Sequence, residues 1–318
     1  MSKLAVYINM VKINVLIITY NQEDVIGRAL DSVLLQKEYG LNKIIIADDC
    51  STDANWDVIQ KYKTQYPDII EAYQNKTNKG IYENLQYLLT LRGEADLFYS
   101  LAGDDALGQG WFKIVQEFIS RYKVKIDEPI SIYSDFKSVS IDGQEQIHKQ
   151  DLIGKGFNPF SLFIRRYISC CRSILISESV ICQFGSLVLG QGLNLTEWVY
   201  GSQESRFSKQ TYYIPFIASI TYRGIGVSTQ LAIGKSDYWT TQNITKIKYF
   251  IDHFIDNDSD LNYARFAIAR SKYYIKPSLR EFLRAICYYH KGQLTGYNYG
   301  LRDYIKTFLP LIKFLIKR

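Results

Sequence analysis

The run Ile13-Asn14-Val15-Leu16-Ile17-Ile18, ending in Thr19-Tyr20-Asn21-Gln22-Glu23, decides the fold. It is short, rich in β-branched residues and closed by polar ones, as expected of a strand covered on both faces. Val25, Ile26, Ala29, Leu30, Val33 and Leu34 follow at helical spacing. Lys43-Ile44-Ile45-Ile46-Ala47 is a second buried strand, ending in Asp48-Asp49-Cys50-Ser51-Thr52-Asp53. A helix through Trp56, Val58, Ile59 and Tyr62 leads to a third strand, Ile69 to Tyr73. Gly80 opens a helix with Ile81, Leu85, Leu88 and Leu89 on one face. Ala95 to Leu101 is a fourth strand, stopped by Gly103-Asp104-Asp105. This βαβαβαβ order predicts an α/β fold with a mainly parallel sheet, flanking helices and right-handed crossovers.

Further on, Ile130 to Phe136 reads as a strand and a hairpin turns at Asp142-Gly143. Arg172 to Ile176 is another strand, Glu197 to Phe207 a helix, and Tyr212 to Tyr222 a strand broken at Pro215. From about residue 240 the pattern is helical. The expected division is a catalytic domain over 1–228 and a basic helical accessory region over 229–318.

Composition narrows the function. Of 318 residues, 47% are hydrophobic and 22% charged, ordinary for a folded chain, so wholesale disorder is excluded. Five cysteines at unrelated spacings argue against a disulfide framework or a Cys-based zinc site; adjacent Cys170 and Cys171 read as small buried apolar groups. His148, His253 and His290 lack any metal-protease spacing. No run of about 18 apolar residues predicts a membrane-spanning helix. Met1 to Met10 makes a poor signal peptide, and a cytoplasmic protein is expected.

In open α/β sheets, ligands bind beyond the carboxyl ends of the strands. Here those ends carry Thr19 to Glu23, Asp48-Asp49 and Asp104-Asp105. Clustered carboxylates suit a hard cation such as Mg²⁺ or Mn²⁺, which commonly bridges protein and diphosphate. Neither GxxxxGK[ST] nor GxGxxG follows the first strand, which argues against a P-loop or standard dinucleotide site.

Four segments together resemble family 2 glycosyltransferases: Val15 to Glu23, Ile45 to Asp53, Asn78-Lys79-Gly80 with Asn84, and Gly103-Asp104-Asp105. The resemblance covers residues 12–225. It implies the GT-A fold, which is Rossmann-like, and an inverting transferase using a nucleotide-diphosphate sugar and a divalent cation. By the same resemblance, Thr19, Tyr20 and Glu23 meet the nucleotide. Asp49 bonds uracil or another base, Lys79 and Gly80 line the base and phosphates, and Asn84 faces the ribose or sugar. Asp104 contacts ribose or sugar, and Asp105 is the main metal ligand. The family's general base matches Glu197, with Trp198 in place of the usual second acid; Glu204, two helical turns on, is the competitor. The family's Tyr-Arg-x-His appears as Tyr222-Arg223-Gly224-Ile225, without the histidine.

The net charge of +6 resides in the tail. Residues 261–318 hold 12 Lys or Arg against Glu281 and Asp303, while the remainder is slightly acidic. With Tyr304, Ile305, Phe308, Leu309, Leu311, Ile312, Phe314, Leu315 and Ile316 among Arg302, Lys306, Lys313, Lys317 and Arg318, and Pro310 as an interruption, this tail is expected to lie on an anionic membrane surface. There it would serve a polyprenyl-diphosphate-linked or glycan acceptor in capsule or O-antigen synthesis. A sugar nucleotidyltransferase would want a basic, glycine-rich first loop, and a nucleic-acid binder a recognised motif; the chain has neither, and no nucleic-acid partner is expected.

Overall fold

The computed structural model describes residues 10–168, 173–184, 196–224, 238–297 and 301–316. Cys170 and Cys171, the N-terminal segment 1–9 and the expected domain boundary at 228 lie outside them.

Strand β1 (Ile13–Thr19) is central, flanked in parallel by β2 (Leu41–Asp48) and β4 (Leu97–Ala102), with β3 (Ile70–Gln74) outside β2. Helices α1 (Ile26–Leu34), α2 (Asn55–Gln65) and α3 (Gly80–Thr90) are the crossovers. The strands alternate between two cores, as the period of two requires. Val15, Ile17, Ile44 and Ile46 pack with Ile26, Leu30 and Val33 of α1; Leu16 and Ile45 pack with Leu85, Leu88 and Leu89 of α3.

Beyond β4 the sheet becomes mixed. Short β5 (Ala106–Leu107) and helix α4 (Trp111–Tyr122) precede β6 (Ile130–Val139) and its hairpin partner β7 (Glu145–His148). Helix α5 (Pro159–Ile164), strand β8 (Ile174–Ser177), helices α6 (Glu178–Ile181) and α7 (Thr196–Phe207), and β9 (Gln210–Tyr222) follow. The order across the sheet is β3-β2-β1-β4-β8-β6-β9-β5. Since β8 runs antiparallel to both β4 and β6, and β9 parallel to β6, the C-terminal ends of β1, β2, β3, β4, β6 and β9 share one edge.

Pro215 does not break β9. Ser134 of β6 faces Ile214 and Asp135 faces Ile217, so the strand bulges around an exposed proline that has no N–H to give the ladder.

Helices α8 (Tyr238–His253), α9 (Asp258–Ile275), α10 (Leu279–Lys291) and α11 (Leu301–Ile316) complete the chain. Side chains cap two of them: Asn257 accepts from the Asp260 N–H and Ser278 from the Glu281 N–H. Pro310 does not interrupt α11, which runs through it with the ring on the exposed side.

A fully buried guanidinium joins these helices to the sheet domain. Arg165, just after α5, pairs with Asp260 on α9, and it also donates to Ser259 Oγ at 2.9 Å and the Gly292 carbonyl at 2.8 Å. Asp260 in turn accepts from Ser161 of α5 at 2.8 Å. Every charge in this dry cluster is partnered, as burial demands.

Candidate active site at the carboxyl edge of the sheet

The two acids ending β2 have different surroundings. Asp48 is fully buried: Oδ1 accepts from Ser51 Oγ at 2.5 Å and Asn55 Nδ2 at 2.7 Å, Oδ2 from the Ser51 N–H and Gln74 Nε2, both at 3.0 Å. Four donors tie up this carboxylate, which locks the turn after β2. Asp49 points instead at the start of α3. It accepts the N–H groups of Lys79 at 2.8 Å and Gly80 at 2.7 Å, and Asn75 Nδ2 at 2.9 Å. An acid here satisfies orphan amides of the helix and meets the positive end of its dipole. Gly80 takes a φ of +81°, which glycine tolerates without strain.

Asn84 is buried one turn into α3. Its amide nitrogen donates to the Ala47 carbonyl at 3.0 Å, and its oxygen accepts from Asn75 at 2.8 Å. Both ends of the amide are thus engaged by the protein, and Asn84 supports Asp49 through Asn75. Lys79 is exposed, with its ammonium 4.8 Å from the Tyr87 ring centre.

The loop after β1 is pinned to the loop after β2. The Asn21 N–H donates to Ser51 Oγ at 2.9 Å, Asn21 Oδ1 accepts the Thr52 N–H at 2.8 Å, and Glu23 Oε2 accepts the Ala54 N–H at 2.6 Å. Glu23 therefore supports the start of α2. Thr19 is buried, donating to Gln22 Oε1 at 2.8 Å, and Tyr20 is half-buried.

Gly103 lets the next loop approach this one. A Cβ there would sit 2.4 Å from Gln22 Oε1 and 2.9 Å from the Thr19 side chain. Asp104 and Asp105 follow, both half-exposed. The Asp105 N–H closes a turn onto the Ala102 carbonyl at 3.0 Å, and Asp105 Oδ1 accepts the Tyr222 N–H from the end of β9 at 3.1 Å. Arg28 of α1 donates to the Asp104 carbonyl at 2.6 Å. Nearby Tyr99 is buried beneath the edge, which pushes its phenol up to about 12, with the Asp105 charge contributing.

Two adjacent half-exposed carboxylates are hard oxygen donors of the kind that would suit a divalent cation. No group of three or more His, Cys, Asp or Glu side chains able to hold a metal occurs among the described residues.

Helix α7 begins at Thr196, so Glu197 stands in its first turn; the side chains of Glu197, Trp198 and Tyr200 lie outside the described residues. Glu204 is buried two turns on, its carbonyl accepting Ser208 Oγ at 2.8 Å.

Sequence reasoning missed Asn75, Gln74 and Arg28. The first two end β3, and the strand-end rule that picked out β1, β2 and β4 covers β3 equally. Arg28 carries no such signal, since it reads as one polar position on an amphipathic helix.

Comparisons with known proteins bear on the fold and the family. An uncharacterized protein of Mycobacterium tuberculosis is 40% identical over 78 residues, 24% of this chain and 22% of that protein. The poly(ribitol-phosphate) beta-glucosyltransferase of Bacillus spizizenii is 33% identical over 116 residues, 33% of this chain and 17% of that protein. The matched segments thus span a quarter or less of these two relatives. Among solved structures, S. aureus TarS in complex with UDP-GlcNAc superposes with a TM-score of 0.58 at 14% identity, covering 87% of this chain and 79% of that one. The mannosyltransferase PcManGT from Pyrobaculum calidifontis, in complex with GDP-Man and Mn²⁺, gives 0.53 at 10% identity, covering 97% and 87%. These likenesses speak for the GT-A fold. No described helix is long and apolar enough to cross a membrane. The family model for glycosyl transferase family 2 matches residues 14–174, half of the sequence, and the chain belongs to that family.

Proposed function

We propose that this chain is an inverting glycosyltransferase. It moves a sugar from a nucleotide-diphosphate donor, a UDP-sugar foremost, to a hydroxyl of a glycan or lipid-linked saccharide in surface polysaccharide synthesis. The observation that carries this reading is the meeting of Asp49, the start of α3, Asp104 and Asp105 at one sheet edge. The similar proteins support it: a glucosyltransferase acting on poly(ribitol-phosphate), and structures with UDP-GlcNAc or GDP-Man.

Asp49 accepts three N–H groups and, with about four lone-pair sites on a carboxylate, retains room for one further donor, the N–H of a nucleobase. Tyr20, Lys79 and Gly80 flank the base and phosphates. Asp104 reaches ribose or sugar, and Asp105 holds Mn²⁺ or Mg²⁺. When bound there, the cation would supply positive charge toward the leaving diphosphate. Glu197 takes the proton of the acceptor hydroxyl as the new bond forms, because a neutral hydroxyl is a weak nucleophile. Attack from the face opposite the leaving group inverts the anomeric centre without a covalent intermediate. A lipid-linked acceptor calls for a peripheral protein at an anionic membrane face.

Incubation with a panel of UDP- and GDP-sugars plus Mn²⁺ tests the reading, with nucleoside diphosphate release expected for at least one donor. Release of pyrophosphate instead would mark a nucleotidyltransferase, and no release from any donor would reject the proposal.

A further inference from the structure

Among its described side chains, helix α11 has two apolar sides, and one of them packs against other described residues. Tyr304, Phe308 and Leu311 turn inward: Phe308 lies 5.1 Å from the Tyr289 ring, Tyr304 5.6 Å from it, and Tyr273 donates to the Leu311 carbonyl at 3.2 Å. Ile305, Leu309 and Ile312, at spacings of four and three residues, form a second strip that is exposed. The corner between α9 and α10 repeats the pattern. Ile275, Leu279 and Leu283 are exposed there, Leu279 at 72%. These six are half of the twelve exposed large apolar side chains among the described residues, so the surface apolarity is concentrated in this region.

Positive charge is interleaved with them. Lys272, Lys276, Arg280, Arg284 and Lys313 are all exposed. Glu281, the acid on α10, is half-buried and bound to Arg284 at 3.0 Å.

We propose that the α9–α10 corner and the outer side of α11 form one docking face for an anionic lipid bilayer. Aliphatic side chains with lysine and arginine beside them suit the boundary between acyl chains and headgroups. The exposed apolar set on this face has isoleucine and leucine but no tryptophan or tyrosine, unlike the anchors of protein interfaces. Pairing two copies through this face would bring like charges together, which disfavours self-association. The inference deepens the lipid-linked acceptor reading above, and its test does not depend on catalysis.

Flotation of the full chain with vesicles of phosphatidylcholine alone, or mixed with phosphatidylglycerol, decides it. The protein is expected to float with the mixed vesicles and to stay behind with neutral ones, and added salt should weaken binding. Leu279→Ser with Leu283→Ser, and separately Ile305→Ser with Leu309→Ser and Ile312→Ser, should each lower the bound fraction roughly tenfold. Lys276→Gln with Arg280→Gln should weaken binding and flatten its salt dependence. All these positions are exposed, so unchanged melting is expected, and donor turnover with a water-soluble acceptor serves as the separate check on the transferase reading. Absence of the wild-type protein from mixed vesicles, or equal flotation of the serine variants, would overturn the proposal. So would a concentration-dependent dimer in sedimentation that the serine variants abolish, because the face would then join copies of the chain.

Discussion

The guanidinium carbon of Arg28 lies 3.5 Å from the centre of the Tyr222 ring, while the same side chain donates to the Asp104 carbonyl. Tyr222 in turn gives its main-chain N–H to Asp105. One arginine from the first crossover helix thus braces both the acidic loop and the end of β9 that orients it. Its Nε–H is buried without a partner, so the ring contact and the carbonyl bond must offset that desolvation.

Loss of this brace should show in metal dependence. A stacked, partly desolvated cation–π pair contributes about 1–2 kcal/mol, so Arg28→Ala is expected to raise the Mn²⁺ concentration for half-maximal turnover roughly tenfold. Arg28→Lys, which keeps the charge but not the planar stack, should fall between. A lowered melting temperature with unchanged Mn²⁺ dependence would mean that Arg28 only supports the fold.

Asp105→Asn separates the charge of this residue from its place in the fold. The amide oxygen can still accept the Tyr222 N–H, so stability should hold, whereas transfer and Mn²⁺-dependent binding of nucleoside diphosphate should be lost. Asp105→Ala should abolish transfer as well. Normal turnover by either folded variant would remove the metal role.

For the proton acceptor, Glu197→Gln should lower kcat by ~10²–10⁴-fold with donor binding near normal. Glu204 is buried, so Glu204→Gln should act on stability instead. The reverse outcome, measured by initial rates and urea unfolding, would move the base two turns along α7.

Asp49→Ala removes the acceptor for two helix amides and leaves the buried Asn75 amide short of a partner. A loss of about 1–3 kcal/mol in urea unfolding is expected, together with a raised donor KM. Asn84→Ala should share the first effect, because its amide holds the same Asn75. A donor KM untouched in a folded Asp49→Ala variant would remove Asp49 from the nucleotide site.

The parallel half of the sheet was legible because each strand is a compact apolar run closed by polar residues, and each crossover helix shows its own period. The other half depends on pairings that local patterns do not encode. β6 lies beside β9, about 80 residues away, with antiparallel β8 inserted between β6 and β4. Pro215 looked like a break because a proline cannot donate to a ladder, but a bulge on the partner register resolves the conflict. At the edge, the Asp48-Asp49 pair was visible, but not which acid is enclosed by four donors and which faces α3. Arg28 was invisible for a related reason: its importance lies in what β4 and β9 bring to it.

The buried Arg165–Asp260 pair bears on how this protein can be dissected. The sequence suggests a catalytic domain over 1–228 and a helical accessory region over 229–318, yet Arg165 sits before the expected boundary and its charged partner after it. Cutting the chain between them would strand a cation in a dry site, and breaking such a pair from one side costs about 3–5 kcal/mol. Arg165→Met should therefore destabilise the full chain by that amount, and Arg165→Met with Asp260→Leu should recover much of it, as read by chemical denaturation. On this expectation, activity missing from a truncated chain would report a damaged fold before it reported a lost tail function.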